Sequence, residues 1–227
     1  MTYAGAELPL FALAVNWKAY WRLEIAPFIQ GAVLEVGAGL GANTAVLSDL
    51  DYRSWLCLEP DAALLSQIQL PGPRHSAVAG AIADLPADAR FDSILYIDVL
   101  EHIENDAAEL QRACDRLNPG GRLIVLSPAH PFLYTPFDKA IGHYRRYTRA
   151  SLRKVAPPGL TERRMVYLDA AGLLASAGNR LLLSRAMPTQ KQILFWDRGL
   201  VPVSRRLDRL LGGRVGKTVI GIWQNRA

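Results

Sequence analysis

Cysteine is scarce: 227 residues contain two, Cys57 and Cys114, both in apolar surroundings. Two isolated thiols cannot frame a disulfide-stapled domain and read as small core residues in a reducing compartment. No apolar run approaches the roughly 20 residues that a membrane span needs. A basic leader is lacking as well, because Met1-Thr2-Tyr3 carries no positive charge and the apolar stretch 8–15 runs straight into charged residues. The expected location is therefore the cytoplasm, with peripheral contact at the inner membrane face as an extension. Repeats and low-complexity tracts are missing too.

Apolar residues make up 50% of the chain, enough for a sizeable core in one α/β domain. Charge is unevenly spread. Up to Lys139 there are nine basic and seventeen acidic residues, a balance of −8, and from Ala140 onward seventeen and four, a balance of +13. An acidic first part and a basic last part suggest two tasks, the second involving an anionic partner.

Periodicity predicts helices over residues 9–30, 40–50, 61–68 and 105–117, and short strands over 32–36, 52–58, 74–78, 91–97 and 122–126. A turn, Asn118-Pro119-Gly120-Gly121, precedes the last of these. Residues 128–148 read as a long loop. A helix from Arg149, a strand near 163–168, a helix over 170–183, a short helix over 204–211 capped by Ser204, and a closing strand over 217–224 follow. The alternation implies an α/β fold with a mostly parallel sheet and helices on both faces. Residues 1–227 are expected to form one domain, with a helical cap (1–30), a cofactor-binding core (31–127) and an acceptor-side part (128–227).

The first strand runs into Gly37-Ala38-Gly39-Leu40-Gly41. These glycines allow a tight turn and close approach of a ligand to backbone that leads into a helix start. The second strand ends in Glu59-Pro60, where an acid can accept both hydroxyls of an adenosine ribose, while Asp61 caps the next helix. Both features suit a nicotinamide cofactor as well as a methyl donor.

Three further segments resemble class I S-adenosylmethionine-dependent methyltransferases. Glu35 stands where that family places an acid near the methionine end of the cofactor. Residues 91–103, Phe-Asp-Ser-Ile-Leu-Tyr-Ile-Asp-Val-Leu-Glu-His-Ile, resemble its fourth-strand motif, and residues 117–123 resemble the turn before strand five. The resemblance covers residues 31–127 and implies a Rossmann-like fold, a mostly parallel seven-stranded sheet with an antiparallel last strand and a basic helical insertion before it. It implies binding of S-adenosylmethionine, with S-adenosylhomocysteine as product, through Glu35, Gly37, Ala38, Gly39, Gly41, Glu59, Pro60, Ala83, Asp84, Leu85, Asp98 and Val99. The adenine loop departs from the family where Ala81 replaces a common Asp, which shifts adenine recognition to Ala83, Asp84 and Leu85.

The acceptor side is read from the residues after strands four and five. Asp98 and His130 are the catalytic candidates; a histidine at the ligand edge of the sheet can take a proton from an alcohol or phenol. Asp98, Glu101 and His102 form a D-x-x-E-H set similar to the E-x-x-E-H set of ubiquinone-pathway O-methyltransferases, which is associated with a divalent cation. Three ligands make an incomplete site, so a metal is not expected; the favoured reading pairs Glu101 locally and packs His102 beneath the sheet. The segment Gly142-His143-Tyr144-Arg145-Arg146-Tyr147-Thr148 resembles a loop that closes the acceptor pocket in small-molecule members. With Tyr134 and His130 it supplies the substrate candidates His143, Tyr144, Arg145 and Arg146, the arginines either clamping an anion or pairing with an internal acid.

Arg180, Arg185, Lys191, Arg198, Arg205, Arg206, Arg209 and Arg214 lie in the insertion among apolar residues. They are expected to roof the pocket first and to contact an anionic membrane second, a dimer interface being a further option. The implied activity is O-methylation of a small, anionic or lipid-linked intermediate by a monomer or homodimer. N-methylation, an RNA or protein acceptor, and a non-catalytic cofactor-binding protein remain alternatives. A nucleic-acid acceptor is disfavoured, since no Asn/Asp-Pro-Pro-Tyr/Phe follows strand four.

Overall fold

The computed structural model describes residues 8–182 and 188–226. Five short strands, β1 (Ala32–Val36), β2 (Ser54–Glu59), β3 (His75–Ala79), β4 (Phe91–Ile97) and β5 (Leu117–Pro128), pair in parallel. Between and after them come α3 (Ala42–Leu47), α4 (Ala62–Leu65) and α5 (Asp106–Asp115). The chain then forms α6 (Pro136–Ala140), α7 (Arg149–Val155) and β6 (Thr161–Leu168). The insertion, α8 (Ala170–Leu182), α9 (Gln190–Phe195) and α10 (Val201–Leu210), precedes the closing strand β7 (Thr218–Gln224).

The sheet order is β3-β2-β1-β4-β5-β7-β6, and β7 alone runs antiparallel to its neighbours, as the resemblance implied. Order reverses between β1 and β4, so the crevice for a ligand opens at their carboxyl ends.

All five residues of β1 are buried, as expected of a strand covered on both faces. Successive side chains feed opposite cores. Val33, Leu95 and Ile124 face Trp17, Trp21, Ile193 and Trp196. Leu34, Ile94 and Leu123 face Leu110, Ala113 and Leu152. The first core is thus closed by the N-terminal helices and the insertion together, the second by α5 and α7.

Several boundaries differ from expectation. The helix over 9–30 is broken into α1 (Leu8–Ala12), α2 (Val15–Ile25) and a 3-10 turn (Ala26–Phe28) that holds Pro27. Asp197 of the insertion accounts for the break, accepting from the Asn16 and Trp17 backbone amides (3.2 and 2.8 Å) and so capping α2 from far along the chain. The Asn118–Gly121 turn sits inside β5 as an irregularity, where pairing with β4 jumps from Phe91–Leu117 to Ser93–Arg122. The 128–148 loop contains α6. Ser204 is not a cap: it lies within α10, buried, with Oγ 2.5 Å from Asp169 Oδ1.

Candidate active site

The turn after β1 depends on its glycines. Gly37, Gly39 and Gly41 adopt φ of 67°, 57° and 76°, the left-handed region that side chains disfavour. A Cβ on Gly37 would stand 2.7 Å from Val99 Cγ2, so Val99 packs behind the loop. A Cβ on Gly39 would meet only the Leu8 side chain at 3.6 Å, so its front is open. The Glu59 carboxylate holds the loop in place: Oε2 accepts from Gly39 N (2.8 Å) and Oε1 from Asp61 N (2.9 Å). Asp61 caps α4 as expected. Each Glu59 oxygen keeps a further lone pair for an outside donor.

In front of the loop lies a cleft of about 780 Å³, bounded by α1, α2, the ends of β4 and β5, the 133–146 segment and the insertion. Gly37, Ala38 and Gly39 line it. Glu59, Pro60, Ala83, Asp84 and Leu85 do not; they stand at the carboxyl ends of β2 and β3, across the loop from the cleft. Asp84 Oδ2 accepts from Ala81 N (2.8 Å), and Leu85 is buried.

Glu35 is 1% exposed and does not line the cleft. Two protein donors share one of its oxygens, Thr44 Oγ1 (2.6 Å) and Trp55 Nε1 (2.9 Å). The other oxygen, Oε1, has no partner among the described residues. Burial pushes this carboxyl up to about 7 against those hydrogen bonds.

Asp98 directly follows β4 with φ of 54°, its amide tied to Leu126 O (2.9 Å), and it lines the cleft. It is open to the cleft yet ringed by protein, and desolvation pushes its carboxyl up to about 6 against the pull of Lys18, His143, Lys217 and Arg146. Two of these cations were not anticipated. Lys18 reaches in from α2, 3.4 Å from Asn43 Oδ1; burial lowers its pKa against the attraction of Asp98 and Glu35. Lys217, just before β7, sits 3.8 Å over the Trp196 ring and 3.3 Å from Asp169 Oδ2. Nothing local in the sequence marks either lysine, because its role depends on packing of distant segments.

Beside Asp98 lies a buried network. Asp138, also unanticipated, accepts from His143 Nδ1 (2.9 Å) and, in bidentate fashion, from Arg146 Nε and Nη2 (2.8 and 3.0 Å). Burial would raise the Asp138 carboxyl, but these bonds hold it well below the usual range. The internal-acid alternative for the arginines therefore applies, although Arg146 and His143 still line the cleft with Tyr134. Tyr134 donates to His143 O (2.6 Å). Glu101 is fully buried; Oε2 accepts from Ser127 Oγ (3.0 Å), while Oε1 has no hydrogen-bond partner among the described residues and lies 3.8 Å from His143 Nε2. Desolvation, then Asp98, raises its carboxyl well above normal.

His102 does not pack beneath the sheet. It lines the cleft with its ring 4.5 Å from that of His143, and burial with this neighbour pushes its pKa down to about 4. The D-x-x-E-H set consequently does not close on Asp98: among the described residues, donor atoms of Glu101, His102 and His143 lie within 4.8 Å of one another. They are the described residues whose spacing suits a cation.

Three acceptor candidates face elsewhere. His130, at φ of 66°, is turned out of the cleft; Nε2 pairs with Gly216 O (2.9 Å) and its ring packs on Tyr167 (4.8 Å) and Phe132 (5.2 Å). Arg145 pairs with Asp106 (2.6 Å) and donates to Glu104 O (2.6 Å). Tyr144 is half exposed outside the cleft. Adjacent residues of an extended loop point opposite ways, so Arg145 and Arg146 cannot both enter.

Residues 34–125 match the methyltransferase domain family. A tRNA U34 carboxymethyltransferase of Pseudoalteromonas atlantica is 29% identical over 120 residues, 48% of this chain and 37% of that one. A demethylmenaquinone methyltransferase of Tropheryma whipplei is 31% identical over 55% of this chain and 51% of its own. The chain thus spans less than two thirds of the length of these curated relatives. Among solved structures, a SAM dependent methyltransferase from Archaeoglobus fulgidus superposes with TM-score 0.64 at 14% identity, covering 96% and 97% of the two chains. The N-methyltransferase NodS from Bradyrhizobium japonicum, in complex with S-adenosyl-L-homocysteine, gives 0.61 at 14% identity over 94% and 87%. The glycine turn and the sheet order agree with that match: residues 34–125 match a methyltransferase domain, and the fold is the Rossmann-like one of class I S-adenosylmethionine-dependent methyltransferases.

Proposed function

We propose that the protein methylates an oxygen nucleophile on a small acceptor bound in the cleft in front of Gly37–Gly39. The observation that carries this reading is continuity: the glycine turn and the Asp98, His143 and Arg146 side chains line one cavity. The residues suit the donor, since Gly39 leaves an open cradle and Glu59, already fixing the loop, keeps lone pairs for ribose hydroxyls. When bound, S-adenosylmethionine would supply an electrophilic sulfonium methyl, which passes to the in-line acceptor oxygen as the carbon–sulfur bond breaks and S-adenosylhomocysteine leaves. The chain holds acceptor and donor in line, which accounts for much of the rate. The Asp98 carboxylate, with its pKa raised toward the working range, accepts the hydroxyl proton. Phe11, Trp17, Phe137 and Trp196 provide an apolar wall for the acceptor's body.

A labelled-methyl transfer screen over cell-extract fractions tests the reading. Labelled product in the small-molecule fraction, lost in Asp98→Asn, is expected. Label recovered only in RNA would favour the second reading, an RNA acceptor, which the tRNA-modifying relatives motivate.

A further inference from the structure

Of the basic residues before the insertion, Arg145 pairs with Asp106, Arg146 with Asp138, Arg153 with Glu162 and Arg164 with Glu24, while Arg149 donates to Gly213 O and Arg163 to Gln224 Oε1. Among the described residues, no arginine of the insertion is paired with an acid. Its acids face inward, Asp197 capping α2 and Asp208 accepting from Tyr20 Oη (2.9 Å). Arg198, Arg206 and Arg209 are exposed and have no ion-pair partner among the described residues. Arg185 lies outside the described residues, as does the side chain of Arg180.

Apolar side chains stand among these charges. On α10, Val201, Ser204 and Asp208 are buried. The opposite face carries Val203 (43% exposed), Arg206, Arg209 and Leu210 (83% exposed). Phe195, 68% exposed, lies three residues before Arg198 and also lines the cleft. Unpaired cations interleaved with exposed apolar groups match an anionic lipid interface, which offers both phosphate charge and an acyl boundary. A nucleic acid would use the charge but leave Leu210 and Val203 in water.

We infer that this face of the insertion docks on an anionic membrane surface, placing the Phe195 edge of the cleft toward the lipid. Cofactor binding does not depend on it, so the two readings fail separately.

The test is flotation of the full chain with vesicles of phosphatidylcholine alone, and of equal phosphatidylcholine and phosphatidylglycerol, at low salt. The chain is expected to float with the mixed vesicles and to remain below with the neutral ones. Arg206→Glu/Arg209→Glu should weaken partition by on the order of tenfold or more, since each basic residue near such a surface contributes substantially. Both side chains are exposed and unpaired, so S-adenosylhomocysteine affinity and the thermal melt should match wild type. Equal flotation on both vesicle types, or no loss in the double variant, overturns the proposal. So does a chain that polyuridine strips from the mixed vesicles.

Discussion

At the scale of single residues, Asp98, the proposed proton acceptor, carries a cost to stability. Its carboxyl titrates higher in the folded chain than in the unfolded one. Its contribution to stability is therefore fully present below the ordinary carboxylate pKa and is lost as pH rises through about 6. Asp98→Asn keeps a residue that tolerates positive φ and removes the charge. It should melt above wild type at about pH 8 and converge with it toward about pH 4, while losing on the order of 10²-fold or more in turnover. Wild-type turnover should rise as pH passes through about 6. Gly39→Asp is a complementary case. Its side chain would fill the open cradle beside the Glu59 carboxylate, so S-adenosylhomocysteine binding in a calorimeter should vanish while the fold persists. His130→Ala should lower stability by about 1–2 kcal/mol through its bond to Gly216 O, with turnover nearly unchanged. Collapse of turnover without destabilisation would restore it as a base.

At the scale of elements, the acceptor side is a set of clasps between segments far apart in sequence. Asp138, in α6, orients His143 and Arg146 at once. Asp138→Ala leaves a largely buried guanidinium unpaired and should cost about 3 kcal/mol. For a chain of this size that is a drop of roughly 6–12 °C in melting temperature. Its depressed carboxyl contributes stability above the ordinary carboxylate range that is lost only as pH falls well below it, so the variant should lose its handicap in strong acid. The insertion is clasped similarly: Asp169 accepts from Trp196 Nε1 (2.6 Å) and Ser204 Oγ, and Asp208 from Tyr20 Oη and the Ala170 amide (2.9 Å). Ile193, Phe195, Trp196 and Leu200 of the insertion line the cleft, while Arg198, Arg205, Arg206, Arg209 and Arg214 are exposed.

At the scale of the whole molecule, donor binding should register as global stability. S-adenosylhomocysteine at about one hundred times its Kd should add about 2.7 kcal/mol and raise the melting temperature by several degrees. NADH at the same concentration should leave the melt unchanged; an equal shift would reverse the choice of cofactor. Among the described residues no helix is long and apolar enough to cross a membrane, so any membrane contact by these residues is made by surface docking or by means other than a helical span.

The sequence by itself determined the strand–loop–helix alternation, the left-handed glycines at 37, 39 and 41, and the Asp61 cap, because each is written within a few residues and follows from local backbone sterics and periodicity. It also carried the charge division, since counting needs no coordinates. It could not decide which histidine faces the acceptor. His130 lies at the expected sheet edge, but its positive φ and the Gly216 carbonyl, 86 positions away, turn it outward, while His143 is turned inward by Asp138. Lys18 on α2 and Lys217 just before β7, from the two ends of the chain, both bear on Asp98 because the fold brings them to the same cleft. Side-chain direction and long-range charge pairing depend on contacts between segments that sequence order does not bring together. The donor turn could therefore be read in advance, whereas the acceptor pocket was decided by the tertiary structure.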